Sequence, residues 1–283
     1  MIRPRTPRRE QLGELLTSRR RSRRRTAVGL PLTSRRGEHG LSREEVATLA
    51  GVSGTWYTWL EQGRDINVSR QVLAAVARVL DLTAAETDYV FALAQRDQPP
   101  FEDEPAAVPG DLQHLVDALD FPAFVVATDW AIAGWNARYQ WLYPPIATLP
   151  DADRNLLWLV YTDPHLRQLL PDWERDSRRF LAEFRAESGV RLGSPRHQAL
   201  LDRLRGASPD FRAHWSEIAV ERFTSRRRHF LRDGVLLTFE HHRLVPSEAP
   251  DLHVVMYVPT PVPTSAERAA LSGVRDRTEL ADP

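Results

Sequence analysis

Two domains of different class are predicted from this sequence: an all-α domain of about five helices, then an α+β domain built on an antiparallel sheet with helices on one face. Three observations predict them. The chain has 283 residues and 42% apolar composition, more than one small core needs. Apolar residues recur at helical spacing before residue 96, whereas strand-like runs begin only at Ala123. Between the two, residues 96–110 carry Pro99, Pro100, Pro105 and Pro109 among Asp97, Glu102, Asp103 and Glu104, the composition of an extended acidic linker. The helical domain is therefore placed at 1–98 and the α+β domain at 99–283.

In the first domain, Leu12, Leu15 and Leu16 fall at i, i+3 and i+4, which predicts a helix starting near Arg9. A looser stretch, 26–40, follows. Ser42-Arg43-Glu44-Glu45 has the form of a capping box, with Val46, Leu49 and Ala50 as the apolar stripe behind it. Gly51 can adopt the left-handed conformation that ends this helix, and Ser53 can cap the next. Two short helices separated by Gly51-Val52-Ser53 form a helix-turn-helix pattern. At 100° per residue, Ser53, Trp56, Tyr57 and Leu60 of the second helix turn inward, while Thr55, Thr58, Trp59 and Gln62 turn outward. Two further helices are expected, 69–80 with Val72, Val76 and Val79 inward, and 83–95 opened by a second capping box from Thr83 to Glu86.

In the second domain, Leu112, Leu115, Val116 and Leu119 predict a helix. Residues 123–128 and 131–135 flank Asp129-Trp130 as a hairpin, and Asn136 can cap a helix carrying Tyr139 and Leu142. Residues 155–215 read as mostly helical, with breaks at Asp163-Pro164, Pro171 and Ser208-Pro209. Arg232-Asp233-Gly234 predicts a hairpin turn between 229–231 and 235–244, and 252–258 is strand-like. By alternation, Phe124, Val126, Trp135, Leu237, Phe239, His241, Val254 and Met256 are expected on the helix-covered side of the sheet.

The net charge of zero hides an asymmetry: 17 Arg face 11 acidic residues through Gln98, and 21 face 27 beyond it. The first forty residues hold 12 Arg against Glu10, Glu14 and Glu38, a balance that favours a polyanion. The six arginines between Arg19 and Arg25 can grip a phosphate backbone or form a solvated face. The absence of cysteine excludes disulfides and thiolate metal sites and fits a reducing cytosol. No run approaches the roughly 18 apolar residues of a membrane helix, and no signal-peptide core opens the chain, so a cytoplasmic location is expected. The sequence holds no HExxH, P-loop, GxSxG or strand-linked GxGxxG motif. His241 and His242 are adjacent and point to opposite faces, which disfavours a metal cluster with His229 and His253. Asp163 and Asp172 read as helix caps and not, with Glu174, as paired acids. Neither an enzyme nor a bound metal is expected.

LSREEVATLAGVSGTWYTWLEQGRDINVS, residues 41–69, resembles the helix-turn-helix of bacterial XRE-type, lambda-repressor-like regulators, in particular those with an MmyB-like ligand-binding domain. FPAFVVATDWAIAGWN (121–136), NLLWLVYTDPHLRQLLPDWE (155–174), SPDFRAHW (208–215) and LHVVMYVP (252–259) resemble that second domain in the same order. The resemblance spans about Gln11 to Leu271. It departs at PTPVPTSAE (259–267), which lacks a glycine often found in the family where the last strand meets the terminal helix. What it implies is a transcription regulator acting on double-stranded DNA at the bacterial nucleoid as a homodimer, with a PAS-like domain that holds a fatty-acid-like, small apolar ligand and needs no other cofactor.

A recognition helix offers its early outward residues to base edges, here Gly54, Thr55, Thr58 and Trp59, while Arg43, Ser53 and Arg64 are placed for phosphate. For the ligand, the expected lining is Phe124, Val126, Trp135, Phe239 and Met256, with Tyr161, His241 or Arg243 able to orient a carboxylate head. Three alternatives stand beside this reading. The second domain can serve dimerisation alone; it can be a haem or flavin sensor; or the chain can be an enzyme tethered to DNA.

Overall fold

The computed structural model describes residues 6–32, 37–94, 107–189 and 191–260. The expected linker up to residue 106, the 98/99 boundary within it, and everything from Pro261 lie outside the described residues. The chain forms two compact units that are not consecutive stretches. One takes Met1–Asp103 with Ala182–Asp202 and Ala213–Arg222; the other takes Glu104–Leu181, Arg203–Arg212 and Phe223–Pro283.

The first unit opens with α1 (Pro7–Ser22), α2 (Arg43–Ala50), α3 (Gly54–Glu61), α4 (Arg70–Leu80) and α5 (Ala84–Ala94). The local signals act as expected. The Ser42 hydroxyl accepts from the Glu45 amide while the Glu45 carboxylate accepts from the Ser42 amide, and Thr83 and Glu86 repeat the arrangement at α5. Gly51 ends α2 at φ 70°, and Ser53 Oγ caps α3 by accepting from the Trp56 amide.

Leu12, Leu15 and Leu16 of α1 meet Val46, Tyr57, Leu60, Val76 and Leu80 in one core, which Leu192 and Val220 from later in the chain join. Three expectations shift by a residue, the first in α2, where Val46 and Ala47 are buried and Leu49 stays 42% exposed. The buried arc of α3 is Tyr57, Leu60 and Glu61, so Trp56 is only half-buried at its edge. In α4 the buried set is Leu73, Val76, Ala77 and Leu80, with Val72 and Val79 at the margins. An eight-residue helix has room for one i, i+3, i+4 arc against its neighbours, and a tryptophan 100° off that arc keeps one side in water.

The second unit is a five-stranded antiparallel sheet of order β2-β1-β5-β4-β3, formed by β1 (Ala123–Ala127), β2 (Ile132–Trp135), β3 (Arg226–Arg232), β4 (Val235–Leu244) and β5 (Leu252–Pro259). β3 and β4 turn through Asp233 and Gly234, both at positive φ as a two-residue hairpin demands. On one face of the sheet, α6 (Gly110–Asp117) sets Leu112 and Val116 against Ala123, Val125, Ala127, Leu252 and Val254. The other face meets α7 (Ala137–Leu142), where Tyr139 stacks on Phe124 with ring centres 4.3 Å apart. Helices therefore touch both faces of the sheet, α6 being the addition to the expected one-sided layer.

Asn136 fixes the corner between α6, β1 and α7. Its Oδ1 accepts from the Ala123 and Tyr139 amides, and its Nδ2 donates to the carbonyls of Val116, Leu119 and Phe121. α8 (Leu156–Thr162) and α9 (Pro164–Leu169) follow, capped by Asn155 and Asp163. Then come α10 (Trp173–Ser188), α11 (Pro195–Ala207) and α12 (Pro209–Ser216), whose residues are divided between the two units. Among the described residues, no helix is long and apolar enough to cross a membrane.

Candidate nucleic-acid interface and ligand pocket

The outward face of α3 carries the expected residues. Thr55 is exposed, Trp59 retains 39% exposure, and the exposed Arg64 lies over the Trp59 ring, 5.7 Å from its centre. An indole left this accessible on a short helix, buttressed by a cation, can meet a base edge or a sugar. Thr58 Oγ1 donates to the Gly54 carbonyl, so its methyl is the group it offers outward. Ser53 is exposed beyond its cap bond.

Gly54 has open space where a Cβ would stand and needs no glycine conformation. Its lack of a side chain serves nothing inside the protein and leaves backbone open to a close approach from outside. Gly54→Ala is expected to leave the melting temperature unchanged or raised, alanine being the better helix former by up to about 1 kcal/mol. It is expected to weaken DNA binding, which fluorescence anisotropy on labelled duplexes would measure.

At the N-terminus of α2, Arg20, Arg21, Ser42, Arg43 and Glu44 line a polar hollow of about 280 Å³. Helix dipole and guanidinium groups together suit a phosphate there. Arg43 reaches this hollow with its charge already shared, for its guanidinium is hydrogen-bonded to Glu61. That bond holds Arg43 above its ordinary value.

The arginines between Arg19 and Arg25 take a course that neither expectation described. Arg19 pairs with Glu86, Arg20 with Glu61, Arg23 with Asp81 and Arg25 with Glu45, so the end of α1 is tied to α5, α3, the close of α4 and α2 in turn. Arg25 is fully buried, with both Nη atoms on the Glu45 carboxylate and Nε on the Pro31 carbonyl. Arg24 makes a longer contact with Glu38, at 3.6 Å. Arg21, exposed and beside the hollow, is the member of the run best placed for phosphate.

In the second unit, an apolar cavity sits in the layer between the sheet and its helices. Among the described residues it is lined by five leucines from α7, α8, α9 and the residue after α9, by Phe180 and Phe230, and by Tyr139, Tyr143 and Tyr257. Its volume is about 10 Å³, room for roughly one water molecule. None of the expected lining residues is among these. Phe124, Phe239 and His241 stand beside them, against Tyr139, Phe230 or Tyr257. Val126 is buried in β1, and Trp135, opposite Phe124, lies under the Arg154 guanidinium at 5.1 Å.

Tyr161 turns elsewhere, donating to the Ser177 carbonyl and packing edge-on against Trp173 and Phe211. Met256 corrects the alternation outright. β5 pairs Val255 with Phe124 and Met256 with Ala123, which puts Met256, like Val254, on the α6 face. The residue on the cavity side is Tyr257.

Sequence reasoning missed Glu61 and Arg228. Glu61 is charged yet completes the buried i, i+3, i+4 arc with Tyr57 and Leu60, a spacing visible in the sequence. Burial would raise its carboxyl, but hydrogen bonds from Arg20 and Arg43, the charge of Arg20 and a hydrogen bond from Thr17 outweigh this and hold it below its ordinary value. Arg228 sits in Arg226-Arg227-Arg228, where composition suggests only an exposed strand, yet it is buried with the ring of Phe180 against its guanidinium.

A family model described as a helix-turn-helix domain matches residues 11–90, and one described as the MmyB-like transcription regulator ligand binding domain matches residues 108–271. A comparison with curated proteins finds no match.

Proposed function

Since this chain belongs to the MmyB-like transcription regulators, a DNA-binding helix-turn-helix unit joined to a ligand-binding domain, we propose how each part works. α3 enters the major groove, with Thr55, Thr58 and Trp59 against base edges and Gly54 against the backbone. Arg21, Arg43, Ser53 and Arg64 hold the flanking phosphates. The carrying observation is the outward face of α3, with its accessible tryptophan and threonine, in a unit that also has an arginine-lined hollow at the N-terminus of α2. The protein acts in the cytoplasm as a homodimer on two half-sites, by binding and without catalysis. Its second domain takes a small, fatty-acid-like ligand into the apolar layer beneath α7–α9. The ligand regulates by favouring one DNA-competent or DNA-incompetent arrangement over the other.

The DNA reading is tested by selecting preferred duplexes from a random pool. Substituting Thr55 and Trp59 is expected to change the selected sequence, each lost base contact costing about 1–3 kcal/mol of discrimination. Arg64→Ala is expected to weaken all sequences alike. Equal, sequence-independent losses from both sets would remove α3 from the groove.

The cavity of about 10 Å³ favours a second reading, in which the domain is a filled core that serves dimerisation alone. Delipidated protein whose stability and DNA affinity ignore added acyl compounds would establish it.

A further inference from the structure

We propose that two stretches of the ligand-binding domain, Ala182–Asp202 and Ala213–Arg222, hold the DNA-binding unit in its DNA-competent form, so that their buried seat against α5 is where DNA binding is regulated. The inference rests on the DNA reading above and adds the place from which that activity is controlled.

Both stretches lie inside residues 108–271, matched by the ligand-binding-domain model, yet they fold with the helix-turn-helix unit. Leu192 and Val220 are buried in the core that holds Leu12, Tyr57, Leu60, Tyr89, Val90 and Leu93, and Ala186 and Ile218 pack at its edge. Gly189, just after α10, approaches α5 so closely that a Cβ there would stand 2.6 Å from the buried ring of Tyr89 and 3.4 Å from Cβ of Ala92. Its φ is not in the left-handed region, so contact and not conformation calls for glycine. Arg222 closes the seat with an ion pair to Asp88 of α5.

The two stretches are also fastened to each other. The buried Arg185 donates from Nη1 to the Ala219 carbonyl and from Nη2 to the Trp215 carbonyl, with its guanidinium 4.4 Å from the centre of the Trp215 ring. The Glu221 amide donates to the Ala182 carbonyl, and the rings of Phe184 and His197 stack at 5.1 Å. They therefore meet α5 as one body.

Tyr57 and Leu60, which set the attitude of α3, share their core with this body. A close-packed interior passes a displacement on to its neighbours, so the seat bears on the DNA-reading helix without touching DNA. The helix α10 that delivers Gly189 begins in the other unit, where Phe180 lines the apolar chamber. The chamber and the seat are thus joined by one unbroken helix. Coupling is reciprocal: if seating favours DNA binding, bound DNA favours seating.

The test uses the full chain and a labelled duplex taken from the selection described above. Hydrogen exchange is expected to slow on duplex binding at the amides of 185–189 and 216–222, which lie outside α3. Gly189→Ala, assayed well below its melting temperature, is expected to bind the duplex at least about fivefold more weakly, the lower end of coupling between sites, with the preferred sequence unchanged. Adding Tyr89→Leu, which makes room for the new methyl group, is expected to restore most of that loss, a non-additivity that general destabilisation does not produce. If Gly189→Ala does not fold, exchange in wild type decides alone. Unchanged exchange at 185–189 and 216–222 in the complex, or a folded Gly189→Ala that binds like wild type, would overturn the inference and leave the DNA reading standing. Failure of wild type to bind any duplex would overturn the DNA reading and this inference with it.

Discussion

Glu61→Gln is expected to destabilise the helical unit by about 3–5 kcal/mol, because it leaves the buried Arg20 without its carboxylate and frees Arg43 at the same time. Glutamine keeps the shape and one acceptor, so a loss of this size would be electrostatic and not a cavity effect. The same carboxylate governs acid stability. Its folded pKa lies below its unfolded value, so its contribution is complete above the ordinary carboxylate range and is lost as pH falls through the lower folded value. Melting curves of wild type and Glu61→Gln between pH 6 and pH 3 are therefore expected to converge as the pH drops. Curves that stay parallel throughout would show that the charge of Glu61 is not what holds Arg20 and α3 together.

Gly13→Ala is the second large effect expected. A Cβ at this position of α1 would overlap the main-chain carbonyl of Glu61, and Gly63, at φ 65°, is pressed in the same way against the carbonyl of Arg9. These are backbone atoms on both sides and cannot swing aside as a side chain would. The cost is expected near the upper end of the roughly 1–3 kcal/mol found for overpacked sites, offset in small part by the helix preference of alanine. Urea denaturation of Gly13→Ala beside Gly54→Ala makes a matched pair, one glycine required by packing and one open to solvent. A destabilisation no larger than that of Gly54→Ala would mean that α1 and the end of α3 are less closely apposed than described.

What the sequence made legible follows the range of the forces involved. The capping boxes at Ser42 and Thr83, the Gly51 ending, the Asn136 cap and the Asp233-Gly234 turn all depend on residues within three or four positions, and each forms as read. The helix-turn-helix face of Thr55 and Trp59 needs only the helical repeat. What failed in the sheet and in the arginine run depends on distant partners. Alternation separates the two faces of β5 but does not say which one faces Phe124; the register to β1 decides that, and it turned Met256 away. A count of arginines cannot see that Glu45, Glu61, Asp81 and Glu86 converge on them from four other parts of the unit. Arg228 was hidden because three successive arginines on a strand look like solvent-facing charge until burial is known.

The size of the apolar chamber carries a last consequence. At about 10 Å³ it has no room for a guest larger than a water molecule as it stands, so any ligand entering there would have to push its walls apart. Loading such an interior does work on its walls, unlike the filling of a preformed container. A guest that must displace what encloses it is registered in the contour of the domain itself, and that contour is what a neighbouring molecule can sense.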